Sequence, residues 1–217
     1  MAVRLAPATS GALAPSRDRS LQDVRRLDWR FLLPEPRLGR VAYIGPEAGA
    51  LLAALREWSE TLTVVPAPDH AAHGPAREAS FDLVVAPSPG SRTLAYASAL
   101  LRPGGWLYCE LARPALLASP RVAGARDGVR GAPHAARLLH QLGFHDVEAH
   151  WHHPSFERCA WMVPMRGATA LTFFLARARG GLVSPLVTRI AARILGAAAV
   201  ARLLPCVSVV ARRREAA

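Results

Sequence analysis

Residues 41–49, with the sequence VAYIGPEAG, join an apolar run to a glycine turn. The apolar run predicts a buried strand, and the turn between Gly45 and Gly49 leads into a segment with helical periodicity. In a doubly wound α/β protein, such a turn follows the first strand and binds the phosphate or adenosine groups of a ligand. Pro46 and Glu47 stand between the two glycines, where close approach of a ligand to the backbone favours glycine. The stretch therefore indicates the fold more clearly than the ligand.

The pattern on either side of this turn alternates short apolar strands with amphipathic helices, which indicates a mostly parallel sheet covered on both faces. Residues 1–20 are rich in Ala, Pro, Ser and Arg and are expected to form a disordered tail before one domain at 21–217. Residues 166–205 are expected to be a helical insertion before the last strand. Strands are predicted at 40–44, 62–65, 81–86, 106–111, 145–150 and 206–212, and helices at 21–33, 48–60, 91–101, 133–142, 168–179 and 185–204.

Composition narrows the class of protein. The 217 residues suffice for one domain with its own core, and three separated cysteines favour reduced thiols over a disulfide or zinc framework. The net charge of +11 attracts anions, but its arginines are scattered and no aromatic residues alternate with them, so nucleic-acid binding is not expected. Neither a secretory signal nor a membrane span is recognisable, which predicts a cytoplasmic protein.

Three stretches together carry a family resemblance. They are the glycine turn at 45–49, the strand FDLVV at 81–85, and LLRPGGWL at 100–107, where a helix passes through a Pro-Gly-Gly turn into a strand. With the later helix, Gly143-Phe144 and a final strand, this order resembles the class I S-adenosylmethionine-dependent methyltransferases. The resemblance covers residues 38–160 and the last strand. It implies a three-layer Rossmann-like fold and S-adenosylmethionine as cofactor.

The resemblance also implies where the cofactor lies. Gly45, Glu47 and Gly49 would contact its methionine and ribose portions, and Ala86 at the tip of a strand would flank the adenine or the acceptor. The family's carboxylate for the ribose diol falls on Pro66 here, which leaves Asp69 as the nearest substitute. No metal ligand set is expected.

Two further departures concern the cofactor side. The acidic residue usual in the first strand is Tyr43, and residues 66–80 leave room for one crossover only, since a βαβ crossover needs at least about 10 to 12 residues. We therefore expect a sheet shortened at that edge.

Candidate catalytic residues follow later strands. Glu110 falls at the carboxyl end of its strand and is a candidate base or acceptor contact. Residues 150–157 are expected to form a substrate-facing loop beyond the sheet, or to pack their aromatic side chains on the sheet edge. On a strand, His150 and His152 would share a face that suits a metal or a general base, and His152 is the second candidate base. Glu47 has a structural alternative as the cap of the following helix, and Asp82, at the start of its strand, is expected to pair with an arginine or the backbone.

Two functions remain open from these residues. The first is methyl transfer from S-adenosylmethionine to an unidentified small-molecule or peptide acceptor. The second is a non-catalytic partner or scaffold protein that keeps the fold and has lost cofactor binding, with residues 166–205 as a surface for a protein partner. The apolar helix predicted at 185–204 adds contact with a membrane surface as a third alternative.

Overall fold

The computed structural model describes residues 3–5, 25–68, 80–111, 129, 131–166, 170 and 204–215. Asp69 and nearly all of the predicted insertion at 166–205, including both of its predicted helices, lie outside the described residues, as does most of the predicted tail. No helix among the described residues is long and apolar enough to cross a membrane.

The described elements follow the predicted alternation. The strands are β1 (Val3–Leu5), β2 (Leu38–Tyr43), β3 (Ser59–Val64), β4 (Phe81–Pro87), β5 (Leu101–Leu111), β6 (Phe144–His153), β7 (Trp161–Pro164) and β8 (Val207–Arg213). The helices are α1 (Ala50–Trp58), α2 (Ser91–Leu100) and α3 (Ala132–Gln141), preceded by a 3-10 helix at Asp28–Leu32.

The strands form one eight-stranded sheet in the order β1-β3-β2-β4-β5-β8-β6-β7. Strands β3, β2, β4 and β5 are parallel neighbours, and β8 enters antiparallel between β5 and β6. After β2 the chain forms β3 on one side of β2, and then β4 on the other side of β2. This arrangement confirms the predicted α/β fold, in a sheet whose central strands are parallel and whose outer strands pair antiparallel. The strand order reverses between β2 and β4, and such folds bind ligands at this point.

Two apolar cores lie on opposite faces of the sheet, which gives the three layers. One contains buried residues of α2 and α3, such as Leu94, Leu100 and Leu139. The other contains α1 residues Leu52 and Leu55 and the 3-10 helix residue Trp29. Alternate residues of the central strands divide between the two cores, as the two-residue period of a strand requires.

The edge of the sheet beyond β3 includes part of the expected disordered tail. Residues Val3–Leu5 pair antiparallel with β3, with Val3 opposite Val64. Without this short strand, the outer backbone groups of β3 would have no partner from the described residues, and an unpaired edge is a liability. The edge is thus completed by three residues from the amino terminus.

Other boundaries also differ from prediction. Strand β3 begins at Ser59 and β5 at Leu101, three and five residues before their predicted starts, so β5 includes the predicted turn at 102–105. Within the predicted helix at 21–33, the described residues contain a 3-10 helix at Asp28–Leu32, and Leu27 and Trp29 are both buried. Strand β6 extends to His153, three residues beyond its predicted end, and thereby includes His152. Strand β7 was not predicted; its four residues end in proline and carry little strand signal.

Candidate functional site

The carboxyl ends of β2, β4 and β5 form the edge where the glycine turn begins. Tyr43 ends β2, Pro87 ends β4, and Glu110 stands opposite Pro87 in the register of β5. Parallel strands bring these residues to one edge although they are far apart in sequence. This edge contains the candidate site.

The glycine turn has a closed side and an open side. A Cβ atom at Gly45 would lie 2.6 Å from Cγ of Pro87 and 2.8 Å from the ring of Tyr43, so the chain's own side chains pack on this glycine. Gly49 has a φ of +133° and open space where a Cβ would be. Residues 46–49 are exposed. A ligand therefore has access to the end of the turn that leads into α1, rather than to its beginning.

Glu47 is exposed in this open part of the turn, and its side chain makes no hydrogen bond or ion pair within the described residues. Helix α1 has Gly49 as its N-cap, with no side-chain cap. The alternative that Glu47 caps this helix is therefore wrong. Its carboxylate stays available close to the positive end of the helix dipole.

Glu110 is held by Arg26. The two guanidinium nitrogens donate to the two carboxylate oxygens at 2.5 and 2.7 Å, and both side chains are 7% exposed. Burial alone lowers the pKa of Arg26, but the hydrogen bond and charge of Glu110 outweigh it and raise that pKa. In this geometry both oxygens of Glu110 accept hydrogen bonds from a permanent cation.

Tyr108, on the same strand as Glu110, donates a third hydrogen bond to its carboxylate. Its hydroxyl donates to Oε1 of Glu110 at 2.9 Å, and its ring stacks on Trp29 with centroids 3.8 Å apart. Burial, followed by the Glu110 charge, raises the pKa of Tyr108 well above its usual value, so the phenol remains a donor. Tyr43 responds in the same direction, since burial and then Glu110 raise its pKa.

His152 lies in the same buried region. Its Nε2 is 2.7 Å from Oγ of Ser208 on the neighbouring β8, and its ring packs on Phe156. Burial, with smaller effects from Arg26 and His150, lowers the pKa of His152 to about 3. His152 is therefore neutral at neutral pH and is a weak base.

His150 shares the strand face with His152, as predicted. Burial lowers the pKa of His150 despite the opposing charge of Glu148, and its Nδ1 has no partner among the described residues. Within the described part of the chain, no three His, Cys, Asp or Glu side chains gather into a metal site.

The structure thus brings some of the predicted residues together and separates others. Gly45 and Glu110 meet at one edge with His152 nearby, whereas Ala86 is fully buried in the core and can offer a ligand only its backbone. Asp82 stands at the opposite end of β4, where it pairs with Arg40 and Arg102 as expected.

The sequence reasoning missed the partners of Glu110. Tyr108 and Glu110 alternate along β5, which is a signal that they share a face. Arg26 offers no comparable signal, because it is one of 27 arginines and contacts Glu110 from 84 residues away.

Solved structures show which known fold this is. No protein-family model matches the chain, and the search of curated proteins finds no significant match. A SAM-dependent methyltransferase from Thermotoga maritima superposes with a TM-score of 0.52 at 13% identity, covering 90% of this chain and 89% of that one. A Haloferax volcanii complex of the Trm112 methyltransferase activator with a methyltransferase gives 0.53 at 14% identity, covering 93% and 94%.

The chain has the class I methyltransferase fold. At these identities the likeness concerns the fold alone. In the methyltransferase fold seen here, β2 is the first central strand, and the short β1 takes the sheet edge beyond β3.

Proposed function

We propose that the protein binds S-adenosylmethionine beside the glycine turn and transfers its methyl group to a small-molecule or peptide acceptor. One observation carries the proposal. Where the strand order reverses, between β2 and β4, the turn at 46–49 is exposed and leaves open space at Gly49. The carboxylate of Glu47 in this turn makes no hydrogen bond or ion pair within the described residues. Ligands of doubly wound sheets bind at this point.

The residues present fit the amino-acid end of the cofactor. Glu47 would accept hydrogen bonds from an ammonium group, and the uncapped first turn of α1 offers backbone N–H groups to a carboxylate. For the ribose diol we propose Asp69, since Pro66 cannot serve. Gly45 would remain a packing residue behind the site, and Ala86 would contribute only backbone.

The bound cofactor would supply an electrophilic methyl group on its sulfonium. The protein would contribute mainly position, since holding two reactants in line replaces a large entropic cost. Of the two candidate bases, Glu110 already accepts from Arg26 and Tyr108, and His152 has a pKa of about 3. The proposed acceptor is therefore one that is nucleophilic without strong base assistance, with His152 as the proposed proton acceptor where one is needed.

Calorimetric titration of the full chain with S-adenosylmethionine and S-adenosylhomocysteine tests the proposal. We expect saturable binding that Glu47→Gln weakens by about tenfold or more, the effect of one lost hydrogen bond to a charged group. Glu57→Gln, a substitution of an exposed carboxylate at the other end of α1, is the matched control and should bind as the unchanged protein does. Gly45 is unsuitable for this test, because any side chain there meets Pro87 and Tyr43. Absence of binding at millimolar ligand would refute the proposal.

A specific observation favours a second candidate function, a non-catalytic partner or scaffold protein. Pro87 and Tyr43 close the crevice over Gly45, and the buried pair of Arg26 and Glu110 occupies the adjoining end of β5. Under this alternative, Pro87→Ala would open space without conferring binding of S-adenosylmethionine. If the unchanged protein bound S-adenosylmethionine and Pro87→Ala tightened that binding, the crevice would be a restricted cofactor site and the scaffold alternative would be wrong.

The remaining expectations keep their own tests. A cytoplasmic location and a protein partner bound through 166–205 stay proposals. Liposome flotation with and without residues 183–204 tests the membrane-surface alternative, which flotation unchanged by the deletion would remove.

A further inference from the structure

A cleft of about 580 Å³ opens at the end of the sheet opposite the glycine turn. It lies where β2 and β4 begin and where the antiparallel β8 ends, and its volume is in the range of small-molecule sites. The cleft is separate from the proposed cofactor edge at the carboxyl ends of the central strands.

The floor of the cleft is apolar and partly aromatic. Leu38 and Leu83 are buried there, and the half-buried ring of Trp106 lines the same space. The guanidinium of Arg212 lies 6.0 Å from the centre of the Trp106 ring. A flat apolar group would find contact area on these side chains.

Three arginines line the cleft, and two of them are held in place through their Nε atoms. Arg102 donates its Nε to Asp82 at 2.6 Å, and Arg212 donates its Nε to the carbonyl of Gly104 at 3.3 Å. Arg37 is exposed and its side chain makes no hydrogen bond or ion pair within the described residues. Anchoring through Nε leaves terminal nitrogens of Arg102 for another acceptor.

The acidic residues of the cleft are mostly engaged. Asp82 accepts at one oxygen from Arg102 and at the other from the backbone and side chain of Arg40. These hydrogen bonds outweigh burial and lower the pKa of Asp82, which keeps it ionised as an anchor. Glu215 accepts from Arg212 at 2.7 Å, and Glu35 is exposed without a partner in the described chain. The three arginines and three carboxylates of the lining balance in formal charge. The donors left without a described acceptor are the side chain of Arg37 and the terminal nitrogens of Arg102.

We propose that this cleft binds a phosphate monoester that carries a flat apolar group. The phosphate oxygens would accept hydrogen bonds from Arg37 and Arg102, whose planar guanidinium groups suit phosphate geometry. The apolar group would lie against Trp106 and Leu83. The site stands on its own contacts and does not depend on cofactor binding at the other end of the sheet.

Titration calorimetry with phenyl phosphate, inorganic phosphate and phenol as probes tests this proposal on the full chain. We expect saturable binding of phenyl phosphate, weaker binding of inorganic phosphate, and none of phenol. Arg37→Gln and Arg102→Gln should each weaken phenyl phosphate by about tenfold or more. Trp106→Leu should reduce the preference for phenyl phosphate over inorganic phosphate.

The controls separate this site from the general positive field. Arg56→Gln removes an exposed arginine on α1 that lies outside the cleft and has no partner among the described residues, and it should leave binding unchanged. Arg37→Gln breaks no described contact, so its melting temperature should match that of the unchanged protein. Equal weakening in Arg56→Gln, indifference to both Arg37→Gln and Arg102→Gln, or no saturable binding at millimolar phenyl phosphate would each overturn the proposal. Binding unaffected by saturating S-adenosylmethionine would agree with two separate sites.

Discussion

An arginine pairs with a carboxylate at each end of the central strands, but the two pairs differ greatly in exposure to solvent. At the carboxyl end, Arg26 and Glu110 form an ion pair with both side chains 7% exposed. At the amino end, the pair of Arg102 and Asp82 is 50% and 29% exposed. A buried pair must be complete because either charge left alone in the interior is costly, whereas a surface pair is screened by water. The carboxyl end therefore depends on its polar contacts for stability, and the amino end keeps its charges available for a ligand.

The largest expected effect is the loss of one partner at the carboxyl end. Arg26→Ala would leave Glu110 buried and unpaired, and we expect the free energy of unfolding to fall by about 3 to 5 kcal/mol. Chemical denaturation of the purified variant measures this. The double variant with Glu110→Ala should lose less than the two single variants together, since no lone charge remains. If Arg26→Ala lowered the free energy of unfolding by less than about 1 kcal/mol, this buried pair would contribute no more than an exposed pair does, and the two ends would not differ.

Acid stability provides a second measure of the same contrast. Burial lowers the pKa of His152 from 6.5 to about 3, so the unfolded chain binds a proton that the folded chain does not between these values. Above pH 6.5, His152 does not reduce the free energy of unfolding. As the pH falls from 6.5 towards 3, the free energy of unfolding decreases by roughly 3 to 5 kcal/mol. His150 shifts in the same direction and adds to the loss.

The matched variants for this measurement are His152→Gln and His140→Gln. Glutamine can keep a hydrogen bond to Ser208 without titrating, so unfolding free energies of His152→Gln measured from pH 7 to pH 4 should depend less on pH. His140 is exposed, and His140→Gln should keep the original slope. Asp82 at the amino end has a lowered pKa, so its contribution is present above the usual carboxyl pKa and lost only at lower pH. If the unfolding free energies of both histidine variants depended equally on pH, His152 at the carboxyl end would not be the cause of the loss of stability in acid.

How far the sequence predicts this molecule differs between fold and site. The apolar strands and the stretch at residues 100–107 predict the alternation of strands and helices because periodicity and glycine turns are local signals. Arg26 with Glu110 could not be predicted in this way, since the pair depends on tertiary contact between distant residues. The same limit applies to the packing of Pro87 on Gly45. The sequence does not show that the end of β4 covers the beginning of the glycine turn, since the two residues are distant in the chain. Asp82 was placed correctly because it comes at the start of an apolar run, and the start of a strand lies at the end of the sheet opposite the carboxyl edge.

The smallest effect is expected at the amino end. Arg102→Ala removes a pair that is half exposed, and we expect the free energy of unfolding to change by about 0 to 1 kcal/mol. Because Asp82 keeps the backbone and side chain of Arg40 as donors, losing Arg102 leaves no unsatisfied carboxylate. Denaturation of Arg102→Ala beside Arg26→Ala compares the two ends directly, and added salt should shrink only the effect at Arg102. A loss as large as that of Arg26→Ala would mean that the pair of Arg102 and Asp82 is not screened as a surface pair, and that the two ends do not differ in this respect.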